Sequence, residues 1–348
     1  MHGISIFPGM GYRLEDNLKY MEEASKRGFT RVFTSLHIPE AGDTLEYEAE
    51  AIAEKAASLG MELTADVSKG YMKKMESLGF GIHALRLDFG FSPEEIAELS
   101  NSDRFKIQLN ASVLDEGSLD MLLSLGLDPQ NVEVCHNYYP RRDTGISWEF
   151  MKKRNDFFHS IGMKTMAFIP SLSGRRGPLF EGLPTVEAHR VIPPLVSAQH
   201  LMKGGTDLVL FGDAIASLEE LDSLSGIRPD VVRLPIRLLA DEAEASAFLS
   251  GIHHNRLDPA EYVIRSEESR TIKKSKVFPV NCINRDAYSV TIDNNGYGRY
   301  EGELQIVKKD LPADLRVNVL GSSRDGRLLI DMLGPGDAFE FHILKDRM

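Results

Sequence analysis

Eight short runs rich in β-branched, aromatic and small apolar residues alternate with helix-length amphipathic patterns, at residues 3–7, 31–36, 62–67, 84–88, 106–110, 132–137, 164–169 and 207–211. Helical periodicity fills intervals such as 14–27, 45–59, 93–99, 148–161 and 186–203. A strand that is followed by a helix before the next strand cannot close a tight hairpin, so neighbouring strands run parallel. Eight parallel strands with intervening helices predict a closed (β/α)8 barrel, the TIM architecture, in preference to an open sheet.

Local chemistry marks the helix ends. Ser92, Pro93 and Glu95 have the spacing of a capping box with proline in the first turn. Gly28 and Gly60 follow helical patterns just before a strand, where a left-handed residue commonly ends a helix. Pro193 and Pro194 interrupt the seventh helical region and are expected to split it.

After Pro235 the texture changes. A helical stretch at 241–249 leads into β-rich runs at 277–283, 289–292, 303–307, 316–319 and 328–332. Turn signals at Asn294-Asn295-Gly296 and Asp325-Gly326 separate some of them, as antiparallel strands require. The division expected is an α/β barrel over 1–236 and a smaller, mostly β domain over 237–348. A length of 348 residues fits a barrel of roughly 250 residues plus a small domain.

The net charge of −12 argues against a broad electrostatic footprint for nucleic acid or an anionic membrane. Any anion site must be a local basic pocket. The two cysteines, Cys135 and Cys282, fall in different expected domains, which speaks against a disulfide framework or a Cys-rich zinc site. No basic leader precedes the first strand and no run is long and apolar enough to span a bilayer, so a cytoplasmic location is expected. Neither a phosphate-loop nor a dinucleotide fingerprint is present, and no spacing matches a recognised metal site. No cofactor and no metal are expected.

Strand alternation locates the chemistry. In the third run Leu63, Ala65 and Val67 oppose Glu62, Thr64 and Asp66; in the fourth, Leu85 and Leu87 oppose Arg86 and Asp88. In the fifth, Ile107 and Leu109 oppose Lys106, Gln108 and Asn110; in the sixth, Val132 and Val134 oppose Glu133, Cys135 and Asn137. Helices cover a barrel's outside, so the apolar sets face outward and the polar sets inward, where buried charges must pair or line a wet cavity. Asp66, Asp88, Asn110 and Asn137 then lie at the carboxyl ends of adjacent strands, where barrel active sites sit.

Two carboxylates on neighbouring strands suit acid and nucleophile, base or charge-stabilising roles. The bland alternative makes Asp66 a turn cap and pairs Asp88 with Arg86 or another internal cation. Glu40 and Glu181 are further carboxylate candidates. His37 could carry a proton or bind substrate, although a lone histidine is more often a hydrogen-bonded structural residue. His136, Asn137, Tyr139 and Arg142 leave the sixth strand together, with aromatic faces for a sugar ring and polar groups for its hydroxyls, or simply pack their loop. Arg175 and Arg176 follow the seventh strand, where barrels often bind phosphate. Glu187 joins this binding set, or only complements a helix N-terminus.

The strings Phe33-Thr34-Ser35-Leu36-His37-Ile38-Pro39-Glu40, Leu85-Arg86-Leu87-Asp88-Phe89-Gly90, His136-Asn137-Tyr138-Tyr139-Pro140-Arg141 and Arg176-Gly177-Pro178-Leu179-Phe180-Glu181-Gly182-Leu183-Pro184-Thr185 make the chain resemble the 6-phospho-N-acetylmuramidases. The run from Asn294 through Gly298, Arg299 and Tyr300 to Ile306 resembles that family's cyclophilin-like second domain. The resemblance implies cytosolic hydrolysis of 6-phospho-MurNAc-β-1,4-GlcNAc to MurNAc 6-phosphate and GlcNAc during recovery of cell-wall sugars. The partner implied is a small phosphorylated amino-sugar disaccharide. Under this reading Asp66 and Asp88 carry the chemistry with Glu40 and Glu181 as further candidates. Arg175, Arg176 and Arg142 hold phosphate and lactyl carboxylate, and Asn110, Asn137, His136 and Tyr139 contact sugar.

Two other readings compete. A phosphosugar isomerase or aldolase would need a proton-transfer or Schiff-base group, for which Lys69 is the nearest lysine. A non-catalytic sensor of cell-wall fragments would bind the disaccharide without cleaving it. The second domain is expected either to close the barrel mouth or to mediate a homodimer.

Overall fold

The computed structural model describes residues 1–35, 44–72, 81–272 and 275–344. Strands β1 (His2–Ile6), β2 (Arg31–Ser35), β3 (Glu62–Val67), β4 (Ala84–Leu87), β5 (Lys106–Asn110), β6 (Val132–Cys135), β7 (Lys164–Ile169) and β8 (Leu208–Phe211) form a closed barrel. Each strand pairs in parallel with the next, and β8 returns to β1. All eight expected strands are present. Helices α1 (Leu14–Lys26), α2 (Leu45–Ser58), α3 (Pro93–Ser100), α4 (Glu116–Ser124), α5 (Trp148–Ser160), α6 (Pro194–Lys203) and α7 (Leu218–Ser225) surround it.

The expected cap at α3 forms in full: Glu95 N–H donates to Ser92 Oγ, and Ser92 N–H donates to the Glu95 carboxylate. The short turn at Glu187–His189 and α6 are separate, with Pro193 capping α6 and Pro194 as its first residue, where a missing N–H costs no helical bond.

The two faces of the strands divide as alternation dictates. Ala65, Val67, Leu85, Leu87, Ile107, Leu109, Val132 and Val134 pack outward with Leu119 and Leu122 of α4 and Phe158 of α5. Inside, Phe33, Cys135, Met166, Phe168, Leu208 and Leu210 make an apolar cluster. The interior is therefore lopsided, filled by hydrocarbon toward β7 and β8 and polar toward β3 to β6. Gly3 permits this filling, because a Cβ there would lie 2.5 Å from Leu210 Cδ2 and 2.7 Å from the Arg31 carbonyl oxygen.

At the amino-terminal end of the barrel Arg31 donates to Glu133 at 2.9 Å, to Glu62 at 2.7 Å and to Thr64 Oγ1 at 3.0 Å. Arg31 and Glu133 are both almost wholly buried, so removing either would leave the other's charge compensated only in part, by Glu62 or by His83, at a cost of about 3 kcal/mol.

The chain divides into compact units at Ser225/Gly226, earlier than the boundary expected at residue 236. Pro235 reads as a break, yet it lies inside β9 (Val231–Leu238) of the second unit. Strand β9 pairs with β14 (Val317–Ser322) of the same unit only at Arg237 and Leu238, so no β14 carbonyl needs the N–H that proline lacks.

The second unit holds β9, β10 (His253–His254), β11 (Val263–Arg265), β12 (Ser289–Asp293), β13 (Leu304–Val307), β14 and β15 (Ala338–Ile343). They make one sheet in the order β10-β15-β9-β14-β12-β13-β11. The expected helix at 241–249 appears as α8 (Glu242–Leu249). Two expected strands do not form. The run 277–283 contains Pro279, carries Asn281 at φ +51°, and turns its Val280 N–H to the Asn318 side chain. The run 328–332 is instead a helical turn, Arg327–Ile330, burying Leu329 and Ile330. A short apolar run alone does not distinguish strand from helix.

Among the described residues no helix is long and apolar enough to cross a membrane.

Candidate active site

Register sets which inward side chains share a level. Ser35, Asp66 and Arg86 are partners across β2, β3 and β4 near the carboxyl end of the barrel. The Arg86 guanidinium donates from Nη1 to Asp66 Oδ1 at 3.0 Å and from Nη2 to Asn137 Oδ1 at 2.6 Å. Ser35 Oγ lies 3.4 Å from Asp66 Oδ2. Asn110 Nδ2 also donates to Asn137 Oδ1, at 3.0 Å, while its own Oδ1 accepts from Ser112 N–H. Burial works against the Arg86 charge, but nearby acidic groups, Asp66 foremost, together outweigh it and hold the guanidinium protonated above its ordinary range.

A second group belongs to the apolar side of the barrel. Tyr138 packs edge-on against Phe7 and Phe168 at 6.5 and 5.1 Å between ring centroids. Arg176 Nη1 donates to the Tyr138 hydroxyl at 3.3 Å, and its guanidinium carbon lies 4.3 Å from the centre of the Phe7 ring. Burial raises the Tyr138 pKa, opposed by the charge of Arg176 and raised further by Asp66. Tyr138 follows Asn137 in the chain, so the bond from Arg176 to Tyr138 and the bond from Arg86 to Asn137 put both groups at one mouth.

Arg176 is held there by Asp213, just beyond β8. The fully buried Asp213 carboxylate accepts backbone N–H bonds from Ser171 and Arg176 at 2.9 Å and from Leu183 at 3.2 Å. Burial raises its pKa, and the three amides oppose the rise. The segment after β7 is thereby drawn in at three points. Among the described residues no carboxylate pairs with Arg176, so its charge remains available to an anion.

Asp88 is not level with Asp66: it lies beyond the end of β4, exposed on the rim, with its N–H on the Val67 carbonyl. The level partner of Asp66 is Arg86. His136 faces the helices, fully buried between Asn155 Oδ1 at 2.9 Å and Ser112 Oγ at 3.3 Å. Burial pushes its pKa down to about 4, so it stands as a neutral structural imidazole out of a substrate's reach.

Glu181 accepts from the Arg142 backbone N–H at 3.0 Å and meets its guanidinium at 3.2 Å, which ties two loops and occupies both residues. Glu187 accepts from Asp143 and Gly145 N–H groups and from both ends of the Arg190 guanidinium. Those bonds, led by Arg190, bring its pKa down to about 2. It is a loop clamp. Arg190 extends the clamp to the Tyr139 and Arg141 carbonyls. Tyr139 is half-buried with its N–H on Pro184, and Arg175 donates to the Arg190 carbonyl at 3.3 Å. His37 and Glu40 lie outside the described residues.

The structure therefore brings Asp66, Asn110, Asn137 and Arg176 together and adds Arg86, Ser35, Tyr138, Phe7 and Asp213. Arg86 was legible as the inward residue below Asp88. Tyr138 was not, because the chain leaves β6 after Cys135 and alternation no longer applies.

Such a mouth offers one fixed carboxylate, a cluster of amides and, on aromatic faces, a guanidinium that no carboxylate among the described residues pairs with. The family models for 6-phospho-N-acetylmuramidase match the chain over residues 2–226 for the N-terminal part and 232–342 for the C-terminal part. No curated protein matches. Among solved structures, an uncharacterized B. cereus protein is 31% identical, with a TM-score of 0.81 over 98% of this chain and 99% of its own. A conserved Enterococcus faecalis protein of unknown function is 30% identical, with a TM-score of 0.80 over 99% and 96%. With both of its units matched by that family's models, the chain belongs to the 6-phospho-N-acetylmuramidase family.

Proposed function

We propose that this protein hydrolyses 6-phospho-MurNAc-β-1,4-GlcNAc to MurNAc 6-phosphate and GlcNAc, as a cytoplasmic step in the recycling of cell-wall sugars. The observation that carries the reading is the juxtaposition, in a chain of this family, of a carboxylate fixed by Arg86 and an arginine without a carboxylate partner.

Asp66 lies where it can stabilise or attack an oxocarbenium-like C1, and the rim carboxyl of Asp88 passes its proton to O4 of the departing GlcNAc. The C1–O4 bond breaks with its electron pair on O4, and water then supplies the new hydroxyl at C1 while its remaining proton returns to the Asp88 carboxylate. Glu40 is the further carboxyl candidate. Arg176 holds the 6-phosphate as a two-pronged donor, and Asn110 and Asn137 meet the sugar. Lys69 gives the aldolase reading no support, since its ammonium is half-exposed and pairs with Glu95 at 2.7 Å rather than standing desolvated.

Incubation of the purified chain with the phosphorylated disaccharide should release both monosaccharides in equal amounts by mass spectrometry. An intact disaccharide after prolonged incubation with folded, ligand-bound protein would favour the sensor reading.

A further inference from the structure

The orientation of Asn137 follows from obligatory donors. A backbone N–H can only donate, so the Asn110 atom receiving Ser112 N–H at 3.0 Å is its oxygen, and the Asn110 amide nitrogen faces Asn137. A guanidinium can only donate too, and Arg86 Nη2 meets the same Asn137 atom at 2.6 Å. That atom is therefore the Asn137 oxygen, and both of its acceptor sites are taken. The usual ambiguity of an amide is removed by its neighbours.

Asn137 is left with its NH2 group as the only side-chain function to offer a ligand. This group has no partner among the described residues, and it is not among the buried polar atoms that lack one. The nitrogen is therefore accessible to solvent, on a half-buried residue just past the carboxyl end of β6. One planar guanidinium thus fixes an acceptor, the Asp66 carboxylate, and a donor, the Asn137 amide, side by side.

We infer that Asn137 determines specificity by donating to the carbonyl oxygen of the 2-acetamido group of the sugar whose C1 faces Asp66. The inference rests on the hydrolase reading above. Substituents at C1 and C2 of a pyranose are neighbours, so a carboxylate serving C1 leaves the adjoining donor opposite the C2 group. An acetamido carbonyl is a strong acceptor there, whereas a lone hydroxyl at C2 does not extend as far.

The test compares chromogenic β-glycosides of MurNAc 6-phosphate and of its counterpart with a hydroxyl in place of the acetamido group. The unmodified protein should prefer the acetamido substrate in kcat/KM. Asn137→Asp keeps an oxygen for Arg86 and Asn110 but replaces the donor, and should reduce that preference by roughly tenfold or more. Asn137→Ala, which removes the whole amide, should reduce the same ratio. Taking the ratio cancels any loss common to both substrates, so a fold defect alone does not mimic the result. Equal losses on both substrates, with the preference intact, would overturn the assignment while leaving the hydrolase reading standing. Cleavage of neither substrate by the unmodified protein would overturn both.

Discussion

Arg86 and Asp66 face each other from neighbouring strands with Nη1 and Oδ1 3.0 Å apart, and neither is more than 7% exposed. A buried pair of this kind seldom adds much net stability, because desolvation offsets the attraction, but it costs heavily to break. Its value here is geometric. The guanidinium holds the carboxylate and the Asn137 amide in one plane at the carboxyl end of the barrel.

Asp66→Asn should therefore separate chemistry from folding. The amide still accepts from Arg86, so the barrel should stay folded, while kcat on the phosphorylated disaccharide should fall on the order of 100-fold or more. Asp66→Ala should add a stability loss of about 3 kcal/mol in denaturant titration, because it strands the buried guanidinium. Full activity in a folded Asp66→Asn protein would remove this residue from the mechanism.

Arg176→Ala should raise KM for a 6-phosphorylated substrate by roughly tenfold or more, since it deletes a charge-assisted, two-pronged contact. Arg176→Lys should recover only part of that loss. Steady-state kinetics on substrate with and without the 6-phosphate will show whether the penalty follows the phosphate. An equal penalty on both would assign Arg176 to packing against Phe7 and Tyr138.

The opposite end of the barrel should set acid stability. Burial of Glu133 disfavours its charge, but His83 and Arg31 more than compensate and bring its pKa down from 4.5 to about 2. Because the folded-state pKa is depressed, this contribution is present in full above about pH 4.5 and is lost as the pH falls toward 2. Glu133→Gln should lower stability by about 2–3 kcal/mol at pH 7 and flatten its decline between pH 5 and pH 3. Denaturant midpoints across that range provide the check, and an unchanged slope would contradict the assignment.

Glu187→Ala should loosen the loops that follow β6 and β7. The clamp on Asp143, Gly145 and Arg190 is partly exposed, so the global loss should be modest, about 1 kcal/mol. Limited proteolysis in these loops should accelerate more than global unfolding does. A cleavage pattern and rate matching the unmodified protein would show that the clamp is redundant.

Much of the barrel was legible because alternation is a strong physical constraint: Leu85 and Leu87 must meet helices, and Asp66 and Arg86 must then meet each other or water. Alternation gives the face of a strand and not its height. Alternation puts Asp66 and Asp88 near the ends of adjacent strands, and register is what matches Asp66 with Arg86. His136 misled for a different reason, since polar residues leaving a strand resemble a binding loop, yet its side chain points to Asn155 on α5. Glu187 and Arg190 stand three apart, a spacing at which an ion pair could be anticipated. In the second unit, Pro235 lies inside a strand, whereas the run 277–283, which contains Pro279, forms none. A proline's effect depends on whether a neighbouring strand needs its N–H, which only the pairing reveals.

The most direct test of the central claim compares MurNAc-GlcNAc with and without its 6-phosphate, following each monosaccharide by mass spectrometry. Cleavage confined to the phosphorylated form, and reduced by Arg176→Ala, is the expected result. Equal cleavage of both forms would contradict the need for an anion site, and cleavage of neither by the folded protein would contradict the hydrolase itself.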